Sequence, residues 1–107
     1  MSYANNVHAP AANTIATLTL VATAGRYREI KEGVIVGYDA TPTGGLLTMQ
    51  DGVAGDIVLA VPITSAGPAP IKFPFASTVG NALVVTLTAG GAGVKGYLTL
   101  VGRDGLA

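Results

Sequence analysis

Cysteine and tryptophan are absent from this 107-residue chain, histidine occurs once, and only 11% of the residues are charged. Each shortage excludes a class of function. Without cysteine there are no disulfide staples, thiolate nucleophiles or Cys-type zinc centres. The single histidine, His8, has no acid or hydroxyl partner arranged around it in sequence, so it composes neither a triad nor a two-histidine metal site. Six Lys and Arg balance six Asp and Glu, and the sequence pI near 6.5 leaves no basic field to attract phosphate backbones, so nucleic acid is not an expected partner. The uncharged stretch from Phe73 to Val94 is long enough to span a bilayer, but Pro74, Gly80, Asn81 and the Gly90, Gly91, Gly93 cluster break a helix rather than build one. No membrane span is expected. Ala22-Thr23-Ala24 resembles a signal cleavage site, yet no Lys or Arg precedes it to form a positive n-region.

What is present is apolar. Half of the residues are hydrophobic and the mean hydropathy is +0.53, whereas a typical soluble domain carries about a quarter charged residues. A domain of this length leaves about a third of its unfolded surface exposed after folding. A free monomer would therefore present apolar patches of the kind that mark interaction sites. The expectation is a single domain that works as a subunit of a closed homo-oligomer.

Period-2 alternation and Gly or Pro punctuation run through most of the chain, and no amphipathic helix is present. From Ile15 to Thr23, Ala16, Leu18, Leu20 and Ala22 share one face and the threonines share the other with Val21. Arg26 to Asp39 reads as a longer strand in which Gly33 and Gly37 mark a bulge or a close backbone approach. Leu46–Asp51 and Asp56–Pro62 flank the turn Gly52-Val53-Ala54-Gly55 as a hairpin, with Ile57, Leu59 and Val61 on one face. Ser65 to Pro70 reads as a loop, and Ile71, Phe73 and Phe75 as an edge strand confined by Pro74. Asn81–Thr88 and Val94–Gly102 alternate as two further strands, whose Gly-rich connection is expected to close a second hairpin. The fold expected is all-β, an antiparallel β-sandwich or jelly-roll-like barrel of about seven or eight short strands over residues 15–107. Residues 1–14 lack the alternation of a strand and are expected to form an N-terminal arm that acts in assembly.

The search for chemistry yields structural readings. Gly91-Ala92-Gly93-Val94-Lys95-Gly96 spells GxGxxG after a strand, but a dinucleotide site needs a following helix and an acidic residue about twenty positions on. Tyr97–Gly102 is instead another strand, so the glycines serve loop geometry and no cofactor is expected. Glu29 and Glu32, three apart on a strand, point to opposite faces and do not pair as glycosidase carboxylates; cross-strand or intersubunit cations are their expected partners. Asp39, Asp51, Asp56 and Asp104 sit at turns, where Asp is common, with no D-x-D-x-D-G loop to hold calcium. Tyr3, Tyr27, Tyr38 and Tyr97 are scattered, and a sugar-stacking platform would need them to converge. The candidate interface residues are Tyr3 and His8 in the arm and the charged block Arg26, Arg28, Glu29, Lys31 and Glu32. No catalytic or metal-ligating set is composed.

The stretches Tyr38-Asp39-Ala40-Thr41-Pro42-Thr43-Gly44-Gly45-Leu46-Leu47 and Gly80-Asn81-Ala82-Leu83-Val84-Val85-Thr86-Leu87-Thr88-Ala89-Gly90-Gly91-Ala92-Gly93-Val94-Lys95-Gly96 resemble small structural proteins of tailed bacteriophages. In those proteins a glycine turn opens the middle hairpin and an Ala/Gly loop joins the last two strands. The resemblance covers roughly the C-terminal two-thirds of the chain; the first 25 residues carry none of it. It implies a non-enzymatic virion subunit of the head-decoration or cement kind on the capsid surface, forming a homotrimer and contacting the major capsid protein or other virion proteins. The alternative is a receptor- or carbohydrate-binding module of a phage tail or fibre, and a third reading is a secreted adhesin-like domain.

Overall fold

A computed structural model describes residues 4–9, 11–20 and 24–106. They form nine strands: β1 (Ala4–His8), β2 (Ala16–Leu20), β3 (Arg26–Tyr38), β4 (Leu46–Asp51), β5 (Asp56–Pro62), β6 (Gly67–Lys72), β7 (Phe75–Ala76), β8 (Leu83–Leu87) and β9 (Gly96–Leu106). All pairings are antiparallel. One sheet runs β1-β9-β3-β6, with β7 also on β3, and the other runs β2-β8-β4-β5. The molecule is all-β, as its alternation and turn residues require.

The two sheets face each other across one core, the arrangement of a β-sandwich. Val34, Val36, Leu98 and Leu100 project from the first sheet and Ala16, Leu20, Leu47, Met49, Leu83, Val85 and Leu87 from the second into one buried cluster. The alternation that predicts β2, β4 and β8 is the alternation the core uses. Leu83, Val85 and Leu87 are fully buried while Val84 and Thr86 between them are only half-buried. Removing one such leucine to alanine costs about 2–5 kcal/mol.

Five features depart from the sequence expectation. Residues 4–8, placed in an arm, form β1 along the edge of β9, with Ala4 opposite Gly102 and His8 opposite Leu98. Ala-Asn-Asn-Val-His has weak strand propensity; the unpaired edge of β9 supplies the template that local sequence does not. Gly67–Pro70, read as loop, belongs to β6, because on an edge strand a proline's missing N–H removes no ladder bond that the sheet needs. The Gly90–Gly96 connection does not close a hairpin: β8 and β9 lie in different sheets, and the loop carries the chain across the sandwich. A register shift between Met49 and Gln50 leaves Leu59 opposite Met49 but puts Ile57 opposite Gln50, so Ile57 leaves the face of Leu59 and Val61 and is 60% exposed. Finally, β9 extends to Leu106, beyond the expected end at Gly102.

The anticipated irregularity in β3 is present. Between the pairs Ile30↔Gly102 and Val34↔Leu100, β3 holds residues 31–33 where β9 holds residue 101 alone. Gly33 within it has φ +147°, and a Cβ there would strike the carbonyl oxygen of Ile71. Only glycine admits that backbone and that approach. The opposing edge breaks at the same level, β6 ending at Lys72 and β7 resuming at Phe75 beyond Pro74.

Candidate functional site

The glycine-rich loop is explained by one buried ring. Tyr38, at the end of β3, is 1% exposed and donates its hydroxyl to the Thr88 carbonyl oxygen at 2.7 Å. Its ring lies against the backbone of both ends of the loop: a Cβ on Gly90 would stand 2.7 Å from Tyr38 Cδ1, and one on Gly96 would stand 3.1 Å from Cε1. Between them Gly91 and Gly93 take φ values of +105° and +75°, and the Val94 amide closes a turn onto the Gly91 carbonyl at 3.1 Å. Glycines here admit a tyrosine and a left-handed backbone; the strand that follows gives no helix N-terminus to face a pyrophosphate.

Two of the four aspartates expected at turns, Asp39 and Asp51, act as acceptors for the chain's own donors, whereas Asp104 lies not at a turn but within β9. Asp39 Oδ1 accepts the Lys95 amide at 2.8 Å. Asp51 accepts the Thr78 amide at 2.9 Å and the Asn81 side-chain amide at 3.1 Å on Oδ1, and the Thr78 hydroxyl at 2.6 Å on Oδ2. The Thr78 hydroxyl, against a smaller opposing effect of desolvation and with help from the Thr78 and Asn81 amides, holds the Asp51 carboxyl below its ordinary value. These bonds tie the β4–β5 turn to the loop after β7. Buried Ser77 continues the tie, accepting the Arg28 amide at 2.8 Å and donating to the Asn81 carbonyl at 3.0 Å. Among the described residues no group of three or more His, Asp or Glu converges as metal ligands would.

The candidate residues separate. Tyr3 lies outside the described residues, and of Lys31 and Glu32 the backbone alone is described. Arg26, Arg28 and Glu29 are half-buried in the first half of β3, where the register sets Arg28 opposite Asp104 and Glu29 opposite Arg103. Both segments read plus then minus in sequence, an order that an antiparallel pairing sets in opposition. The expected opposition of Glu29 and Glu32 involves the Glu32 side chain and so falls outside the described residues. His8, at the end of β1, accepts the Thr17 amide on Nδ1 at 2.9 Å. Of the described tyrosines, Tyr38 is in the core, while the Tyr97 ring lies over Gly37 on the outer face of its sheet.

What remains is surface, and it is unusual in charge rather than in chemistry. Across the outer face of the β2-β8-β4-β5 sheet run two rows, Thr17-Thr86-Thr48-Ala60 and Thr19-Val84-Gln50-Ile57, defined by strand register. Neither contains an ionisable side chain. On the other sheet the row Val7-Thr99-Ile35-Pro70 is equally neutral, with Ile35 47% exposed. The charges gather instead at strand ends, in turns and in the β3–β9 block. Sequence reading found the scarcity of charge and missed its placement, which depends on register. No protein-family model matches the chain, and no curated protein does. Among the described residues no helix is long and apolar enough to cross a membrane.

Proposed function

We propose that the chain is a non-enzymatic structural subunit of a virion, a capsid decoration or cement protein that assembles as a homo-oligomer, in the arrangement its phage resemblance favours a trimer, and braces the shell by contacting the major capsid protein. The observation that carries the assembly part of this reading is the set of neutral rows across the outer faces of the two sheets. A sheet face meant for water normally alternates core residues with charged or strongly polar ones, whereas these rows offer threonine, valine, isoleucine and proline. Such surfaces lose little on desolvation, and permanent interfaces are the more apolar ones.

The virion part rests on the resemblance of residues 38–47 and 80–96. It is tested by mass spectrometry of purified particles. Peptides of this chain in fixed ratio to the major shell protein support the reading, and their absence from intact particles overturns it. The tail or fibre carbohydrate module would draw on exposed aromatics, and Tyr38 at 1% exposure contributes nothing to such a platform. A glycan array with the soluble protein separates the two readings.

A further inference from the structure

We propose that His8 is a proton-controlled clasp that joins the two sheets and closes the free edge of β2. β1 and β2 are the terminal strands of their respective sheets, and the bond from the Thr17 amide to His8 Nδ1, at 2.9 Å, runs between them. In an antiparallel ladder alternate amides point away from the partner strand, and Thr17 spends its outward amide on the imidazole rather than on water. An Nδ1 that accepts a hydrogen bond carries no proton, so the ring is the neutral tautomer with its proton on Nε2. Imidazolium has N–H at both nitrogens and no lone pair to offer. Protonation therefore sets a donor against a donor and ends the bond.

The surroundings contain little to mask that event. β2 and residues 9–15 carry no ionisable side chain. Along β9, the stretch paired with β1, Leu98 to Gly102, contains no ionisable side chain; Tyr97 precedes it at the His8↔Leu98 end, and Arg103 and Asp104 follow it beyond the Ala4↔Gly102 end. Past His8, where the Asn13 amide meets the Val94 carbonyl, stand Lys95 and Asp39, of opposite charge and joined through the Lys95 amide. Among the described residues of these elements His8 is thus the one imidazole, the side-chain type that can gain a proton in mild acid. Its protonation uncovers the edge Thr17–Thr19, which has none of the charges or prolines that natural edge strands use against unwanted pairing.

The test is backbone amide exchange followed by NMR on the full chain at about pH 7.5 and about pH 5, corrected for the intrinsic rate. Thr17 protection is expected to fall roughly tenfold or more at the lower pH, while protection along Leu83–Leu87 stays constant. His8→Asn supplies an acceptor oxygen that does not titrate, so in that variant Thr17 stays equally protected at both pH values. Unchanged Thr17 protection in the native chain, a fall shared equally by Leu83–Leu87, or a fall that persists in His8→Asn would each overturn the proposal. The native-chain measurement stands alone if the variant fails to fold.

Discussion

Tyr38 shows how one side chain organises residues far apart in sequence. Its ring requires the bare backbone of Gly90 and Gly96, and its hydroxyl satisfies Thr88. Gly90→Val would place side-chain atoms where Tyr38 and Val94 Cγ1 already stand, within 2.7 Å and 2.6 Å of the new Cβ. Overpacking of this kind costs about 1–3 kcal/mol, so urea denaturation should show a lowered midpoint whose product with the slope corresponds to a loss of that size. Tyr38→Phe keeps the ring and loses the bond to Thr88, at about 1 kcal/mol. None of this was legible in the loop itself, which spells a nucleotide motif; it becomes legible only once the burial of Tyr38 is known.

Asp51 gives the pH dependence. Its folded carboxyl lies below the ordinary 3.8, so the unfolded chain binds the proton more readily than the folded one. The stabilisation is fully present above the unfolded value and is lost as pH falls through the lower folded value. Melting temperature should therefore be insensitive to Asp51 between neutrality and about pH 5, then decline in stronger acid. Asp51→Asn should be less stable at neutral pH, and its melting temperature should fall less steeply in acid than that of the native chain. Identical acid slopes for the two proteins would show that the Thr78 and Asn81 bonds contribute nothing to the ionised state.

At the scale of elements, the strands that sequence revealed are those whose alternation the core enforces. β2, β4 and β8 bury one face against the opposite sheet, so a one-residue slip would expose every buried side chain. The features it did not reveal are set by partners rather than by local pattern. β1 exists because β9 has an edge to fill, and β6 accepts prolines because its outer amides have no strand to reach. The Gly90–Gly96 loop has the composition of a hairpin turn, but which sheet receives the next strand is a long-range choice. β1 carries a prediction of its own. Deleting residues 1–8 removes its five registered positions and the His8 bond to Thr17, so the shortened chain should melt several degrees lower. An unchanged melting temperature would mean that β1 adds nothing to the fold and would return this segment to the role of an arm.

At the scale of the molecule, scarce charge becomes an argument through its placement. Twelve charged residues are few for a small sandwich, and register keeps them off the three rows Thr17-Thr86-Thr48-Ala60, Thr19-Val84-Gln50-Ile57 and Val7-Thr99-Ile35-Pro70. Ile57 and Ile35 mark the two faces, 60% and 47% exposed. Ile57→Lys and Ile35→Lys should each alter stability by less than about 0.5 kcal/mol, as exposed substitutions do. The one on the assembling face should weaken self-association, so comparing the two by sedimentation identifies that face. If neither has an effect, assembly does not use these rows.

The claim beneath all of this is that the chain does not work alone, and the most direct test is its mass in solution by light scattering at micromolar concentration. We predict a single species at a whole-number multiple of 10.6 kDa, three for the arrangement favoured above, holding its mass on dilution. A species of 10.6 kDa across the whole concentration range would contradict the account.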